Sequence, residues 1–384
     1  MSTPRTIRIA LNGVTGRMGY RQHLVRSLLA LRDDGGMLLP DGTRLVPEVL
    51  LVGRNEAKLA DIAHRHGLDA YTTSLDEALG DPSVDIYFDA LVTTEREKAL
   101  TRAIEAGKHV YTEKPVAMSV DGAQQLAELA RAAGVKHGVV QDKLFLPGLI
   151  KLRSLVESGF FGRILAVRGE FGYWVFEGGW RRAQRPSWNY RTADGGGIVA
   201  DMFCHWRYVL DHVIAPVRAV TARAVTHVPE RIDEDGRPYA ATADDAAYAI
   251  FELDGDVIAT MNSSWATRVY RDELLTLQVD GTLGSAVAGL HGCKIQSRDA
   301  TPMPVWNPDV PIDADFRAEW QDVPQIGEPV NAFRRQWELF LSHVVSDTPF
   351  PWDLVEGAKG VQLAEAGLES SRTGRRVELP ELTG

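Results

Sequence analysis

The feature that most constrains this chain is a strand, a glycine-rich turn and a helix in immediate succession near its start. Ile7-Arg-Ile-Ala-Leu11 is a short apolar strand, followed by Asn12-Gly13-Val14-Thr15-Gly16-Arg17-Met18-Gly19 and then a helical pattern with Leu24, Val25, Leu28 and Leu29. That order is the setting in which a glycine run cradles phosphate. Gly16 lets the backbone approach a pyrophosphate, Gly19 permits close helix–strand packing, and the helix N-terminus offers amide donors. The spacing is G-x-x-G-x-x-G, with Val14 where a glycine is expected. Gly13, Thr15, Gly16, Arg17 and Met18 are read as cofactor contacts; the alternative is a glycine-rich turn without a ligand.

The pattern repeats. A second strand over residues 48–52 ends in Gly53-Arg54-Asn55, a third covers 85–92 and runs into Thr93-Thr94, and a fourth ends in Thr112-Glu113-Lys114-Pro115. Helical periodicity separates them, so residues 1–141 are expected to form a doubly wound parallel sheet, a Rossmann domain. Asp41-Gly42 between apolar flanks marks a small hairpin inserted in the first crossover. An NAD-specific site carries Asp or Glu at the end of the second strand to hold the ribose 2′-hydroxyl. Here Gly53 and Arg54 stand there instead. Loss of the carboxylate removes repulsion against a 2′-phosphate, and a guanidinium binds one well. NADP is therefore expected in preference to NAD, with Gly53, Arg54, Asn55, Thr93, Glu113 and Lys114 among its contacts.

Composition bounds the rest. The 384 residues suffice for two domains, and a net charge of −10 speaks against a nucleic-acid binder. No apolar run reaches membrane-spanning length, the first residues lack a signal-peptide core, and Cys204 and Cys293 are the two cysteines. A cytoplasmic protein without a disulfide framework is expected. Beyond Gln141 the pattern changes to a helix, a long strand over 164–173, a Trp- and Arg-rich loop, Gly195-Gly196-Gly197, a helix over 199–213 and then consecutive β segments. Residues 142–384 are thus expected to form an α+β domain with an open, mainly antiparallel sheet, closed by helices over 331–346 and 354–373, the last packing back on the first domain.

Asp201-Met-Phe-Cys-His205 lies in the helix after the glycine triplet. Residues four apart share a helix face, so the carboxylate and imidazole project together. With Lys114, at the carboxyl end of a parallel strand where ligands bind, they form a set suited to oxidising a secondary alcohol. His205 would take the hydroxyl proton, Lys114 stabilise the developing alkoxide, and Asp201 orient the imidazole or substrate. An ordinary polar pair on a helix surface is the alternative. Asp201, Cys204 and His205 lack the second ligand group a metal site needs, so no metal is expected.

Glu113-Lys114-Pro115 and Gly196-Gly197-x-x-x-Asp201-x-x-x-His205 resemble the glucose–fructose oxidoreductase / inositol dehydrogenase (Gfo/Idh/MocA) family. So do the edge stretch 278–286 and the tail from Glu356 to Leu379. The resemblance implies an NAD(P)-dependent dehydrogenase of sugars, glycosides or cyclic polyols, with Lys114, Asp201 and His205 lining the substrate site. Lys143, in Lys143-Leu-Phe-Leu-Pro147, occupies the place of the family's Arg-x-Phe/Tyr-x-Pro stretch and becomes a substrate contact. A homodimer or homotetramer is implied as well. Indoles suit the apolar faces of sugar rings, so Trp174 and Trp188 are expected to touch substrate, with Trp180, Trp206 and Trp265 weighed beside them. Arg181, Arg182, Arg185 and Arg191 would meet an acidic substituent or acidic neighbours across a subunit contact; Arg191 is taken as a substrate contact. Two other readings stay open: a glycoside-cleaving or epimerising enzyme that recycles a tightly bound dinucleotide, and a non-catalytic dinucleotide sensor.

Overall fold

The computed structural model describes residues 4–328 and 330–382. Its parallel sheet is built on β1 (Arg5–Asn12), which lies between β3 (Arg44–Val52) and β5 (Ile86–Asp89), with Ile9 opposite Val49 on one side and Ile86 on the other. Ile9, Leu11 and Phe88 are wholly buried, as expected of strands covered on both faces. β6 (His109–Thr112) and β7 (His137–Val139) extend the sheet beyond β5, and β4 (Tyr71–Thr72) adds to β3. The expected hairpin insert is present: β2 (Met37–Leu38) runs antiparallel to the start of β3, with Met37 opposite Leu45, and Gly42 turns it at φ +82°.

The helices stop and start where local chemistry dictates. α1 (Met18–Leu29) is wound with i→i+5 bonds and continues as an α-helix through Ala30–Asp33. α2 (Glu56–His66) is capped by the Asn55 side chain, which accepts the Lys58 amide at 3.0 Å, and ends at Gly67 with φ +58°. α3 (Leu75–Gly80) and α5 (Val120–Ala133) open on Ser74 and Ser119 caps; α4 (Thr93–Glu105) lies between them. The strand expected over 85–92 ends at Asp89, because the Asp89 carboxylate accepts the Leu91 amide at 3.0 Å and bends the chain away from the ladder.

The described residues group into two compact units whose bounds depart from the 1–141 and 142–384 division. The first comprises the residues up to Phe145, Val330–Glu365 and the end of the chain from Glu381; the second runs from Leu146 to residue 328 and over Ala366–Pro380. α8 (Ala332–Ser346), capped by Asn331, therefore belongs with the Rossmann sheet together with the first part of α9 (Leu354–Thr373). The reason is packing: Gln336 donates to the Val139 carbonyl at 3.1 Å and accepts the Gln141 amide at 2.7 Å, and Leu354, Ala358 and Val361 join the cluster of Val116, Leu126 and Ala130.

In the second unit, α6 (Pro147–Glu157) precedes β8 (Ile164–Phe171), and α7 (Ile198–Val213) precedes β9 (Val217–Val225). A small ribbon, β10 (Glu230–Ile232) with β11 (Pro238–Ala240), intervenes. The main sheet continues through β12 (Ala246–Leu253), β13 (Val257–Ser264), β14 (Leu275–Gly281), β15 (Gly284–Ala288), β16 (Cys293–Ser297), β17 (Gln321–Asp322) and β18 (Val377–Glu378). Among the described residues it has nine strands, antiparallel except for the β8–β13 pair. β9 stops at Val225, because the His227 and Val228 amides turn to the Asp245 carboxylate at 2.8 and 2.9 Å. α7 lies on this sheet through Phe203, stacked edge-on to Phe251, and Trp206, whose indole donates to Ser263 at 3.0 Å. Among the described residues no helix is long and apolar enough to cross a membrane.

Candidate active site

The carboxyl ends of β1 and β5 lie side by side where the strand order reverses, which is where doubly wound sheets bind nucleotides. Gly13 turns the chain there with φ +84°, and a Cβ on it would stand 2.7 Å from the Ala90 backbone. A Cβ on Gly19 would meet the Gly13 carbonyl oxygen at 2.5 Å, so α1 leaves the turn closely packed against it. Thr15, Gly16 and Arg17 are exposed, and Arg17 caps α1 without a side-chain hydrogen bond to the first amides. Uncapped amides at a helix start are anion donors. A groove of about 320 Å³ runs from Thr15, Gly16 and Arg17 to Lys58 and Arg65 on α2. These features fit a dinucleotide pyrophosphate.

Gly53 and Arg54 follow β3 as expected, with Arg54 exposed; Asn55 is engaged as the α2 cap. Thr93 is the first residue of α4 and buried, and the cap is Val92. Glu113 and Lys114 follow β6, and the Lys114-Pro115 peptide bond is cis. Glu113 is buried, with His23 on one carboxylate oxygen at 2.8 Å and the Lys114 amide on the other at 3.2 Å. Burial opposes its ionisation, but the His23 hydrogen bond and the neighbouring charges hold the carboxyl below its ordinary range.

Under the same turn lies a buried network that the sequence did not reveal. Arg96 of α4 donates to Asp89 at 3.0 Å and to the carbonyl of Pro115; Asp89 also accepts from Tyr87, which accepts from Asn12 at 2.8 Å. Burial raises the Asp89 carboxyl above its ordinary range even with Arg96 against it. Lys143 stands half-buried in a single 3₁₀ turn, Asp142–Phe145, of the same unit.

The second unit gathers the other expected residues. Gly195-Gly196-Gly197 bring the start of α7 against residues 188–189: a Cβ on Gly196 would stand 2.5 Å from the Trp188 and Asn189 carbonyl oxygens. Gly197 has φ +125°, and Asp244 accepts the Ile198 amide through its carbonyl and the Val199 amide through its carboxylate. One turn on, the Asp201 carboxylate pairs with Arg185 at 2.8 Å. The Arg185 guanidinium lies over Phe176 and Trp265, 5.1 and 4.7 Å from their ring centres. Arg185 thus has an acidic partner within the chain. His205 is buried, with Nδ1 at 2.6 Å from the Tyr208 hydroxyl. Tyr208 lies three residues on, and helical spacing alone could have found it; Arg185 gave no such signal.

The tryptophans divide by burial. Trp206 and Trp265 are core, whereas Trp174, Trp180 and Trp188 are exposed by 41, 53 and 36%. Trp174 and Trp180 lie 6.1 Å apart, and Arg181 stacks on Trp180. Arg191 stacks on Tyr239 and approaches Asp194 at 3.9 Å. No group of three or more metal-binding side chains occurs among the described residues.

Comparison with known proteins follows this division. The NAD-binding Rossmann fold of an oxidoreductase family matches residues 7–141, and the GFO/IDH/MocA C-terminal domain matches residues 149–287. The D-xylose dehydrogenase of Paenarthrobacter nicotinovorans is 56% identical over 387 aligned residues, covering 100% of both chains. The 1,5-anhydro-D-fructose reductase of Ensifer adhaerens is 31% identical over 182 residues, 46% of this chain and 53% of that protein. A levoglucosan dehydrogenase structure in complex with NADH and levoglucosan shares the fold, with a TM-score of 0.79 at 19% identity over 98% of this chain and 100% of that one. With both parts of the chain matched and a full-length relative at this identity, the protein belongs to the GFO/IDH/MocA family of oxidoreductases and carries an NAD-binding Rossmann domain.

Proposed function

We propose that the protein is a dehydrogenase of a small cyclic sugar of the D-xylose class, using NADP in preference to NAD. The observation that carries the substrate class is the 56% identity, over the whole of both chains, to a D-xylose dehydrogenase. Lys114, Asp201 and His205 act together on one hydroxyl-bearing carbon. His205 takes the hydroxyl proton, with Tyr208 holding its ring, and the Lys114 ammonium stabilises the oxygen as negative charge develops. Asp201, held by Arg185, orients the imidazole or a neighbouring hydroxyl. The nicotinamide ring, when bound, supplies the hydride acceptor. The carbon thus loses a hydride and its oxygen a proton, leaving a carbonyl. Lys143, Trp174, Trp188 and Arg191 are the further substrate contacts, and a homodimer or homotetramer is the assembly this reading favours.

NADP preference is supported by Gly53-Arg54 in place of a carboxylate at the end of β3, and by Arg17 and Lys58 along the adjoining groove. A 2′-phosphate would meet cations there and no carboxylate at the strand end. The test follows the reduced-nicotinamide absorbance while D-xylose, other pentoses, hexoses and inositols are offered with NADP and with NAD. Reduction of NADP by a pentose is the expected result. Silence across the panel with cofactor bound would overturn the dehydrogenase, and a clear NAD preference would overturn the cofactor assignment.

A further inference from the structure

Behind Lys114 lies a buried chain of three side chains. His23 of α1 and Trp337 of α8 are both 0% exposed. The Trp337 indole N–H donates to His23 Nδ1 at 3.0 Å, His23 Nε2 stands 2.8 Å from Glu113 Oε1, and Glu113 Oε2 accepts the Lys114 amide at 3.2 Å. Phe88 and Phe333 pack on the imidazole, 4.2 and 5.2 Å between ring centres. An indole N–H only donates, so Nδ1 accepts, and the ring's proton is assigned to Nε2, pointing at Glu113. A second proton would have to enter at Nδ1, which faces the indole N–H. The imidazole is therefore a neutral donor, and it holds the Glu113 carboxylate without cancelling its charge. Lys114 and Arg96 are the cations whose charges act on that carboxylate.

We propose that His23 and Trp337 are positioning residues for Lys114: the indole fixes the imidazole as its Nε2–H tautomer, and that proton pins Glu113 as the carboxylate that anchors the Lys114 backbone and faces its side chain with a full negative charge. The proposal rests on the reading of Lys114 as the group that meets the substrate. A cationic His23 would neutralise Glu113 and remove the counter-charge next to the ammonium.

The first measurement is nitrogen NMR of the full-length protein labelled at histidine, with His23→Leu identifying the His23 signals. At neutral pH the two His23 ring nitrogens are expected to report the Nε2–H tautomer. Trp337→Phe, which keeps an aromatic ring and deletes the indole N–H, should shift the Nδ1 signal, because that nitrogen loses its donor. The second measurement is kinetic. His23→Leu should lower kcat about 10-fold through misplacement of Lys114 with dinucleotide affinity unchanged, and His23→Gln, which restores a donor to Glu113, should recover most of it. In a Lys114→Ala background, His23→Leu should cost nothing further. An Nδ1–H tautomer in the wild type, or full additivity with Lys114→Ala, would overturn the proposal. Should the protein oxidise no sugar at all, the function proposed above fails, while the tautomer measurement, which needs no substrate, still decides this one.

Discussion

Single side chains carry the chemistry proposed here, and two of them give the plainest test. Lys114→Ala and His205→Ala should each lower kcat by about 10²-fold or more while leaving dinucleotide affinity nearly intact, because general-base and electrostatic assistance are lost but the cradle is not. Steady-state kinetics beside a fluorescence titration with NADP checks both halves; wild-type rates in either variant would show the site to be elsewhere. Arg54 is the residue on which the proposed NADP preference rests. Arg54→Asp should weaken NADP binding by roughly 10-fold or more and move the preference toward NAD, since it trades a phosphate-binding cation for a carboxylate suited to the ribose hydroxyl. Side-by-side Kd measurements for the two dinucleotides decide it.

At the scale of elements, the turn between β1 and α1 sets the cradle, and its glycines are not equivalent. A Cβ on Gly19 would collide with the Gly13 carbonyl oxygen at 2.5 Å, whereas on Gly16 the nearest atom is that same oxygen at 3.3 Å. Gly19→Ala must therefore push α1 off the strand and should cost about 1–3 kcal/mol of stability, as overpacking does. Gly16→Ala should leave stability nearly unchanged but weaken dinucleotide binding, since its Cβ would stand on the open side that the pyrophosphate approaches. Urea unfolding and NADP titration of the two variants separate the effects. The same elements show what was readable locally. The Asn55 and Ser119 caps and the Gly67 and Gly134 stops delimit α2 and α5, and each lies in the sequence at the position that helix-end chemistry requires. The early ends of β5 and β9 were not readable, because each is set by a carboxylate drawing backbone amides off the ladder.

For the whole molecule, the Rossmann sheet binds two histidines whose protonation its folding opposes. His109 Nδ1 accepts the Lys136 amide at 3.0 Å, and His137 Nδ1 accepts the Leu354 amide at 3.3 Å. Burial lowers both imidazoles below their ordinary value of 6.5. Below that value the unfolded chain takes up protons that the folded one refuses. Stability is therefore complete above the ordinary imidazole range and is lost as pH falls from it toward the lower folded values. The urea midpoint should drop between about pH 7 and pH 5. In His137→Asn, which keeps an acceptor for the Leu354 amide and does not titrate, it should drop less; an unchanged pH dependence would show that burial of this imidazole contributes nothing.

What the sequence determined by itself was everything carried by short-range order: the alternation of strand and helix, the glycine turn, the hairpin at Asp41-Gly42, the antiparallel second sheet, and the Asp201–His205 spacing on one helix. These depend on steric rules and periodicities that act over a few residues. Tertiary structure alone decided which distant side chains meet. It placed α8 with the Rossmann sheet, turned Arg185 onto Asp201 between two aromatic rings, sent Trp206 and Trp265 into the core while leaving Trp174 and Trp188 exposed, and set His23 between Glu113 and Trp337. The reason is physical: a buried polar atom must find a partner, and that partner is chosen by packing across hundreds of residues, which no local pattern records.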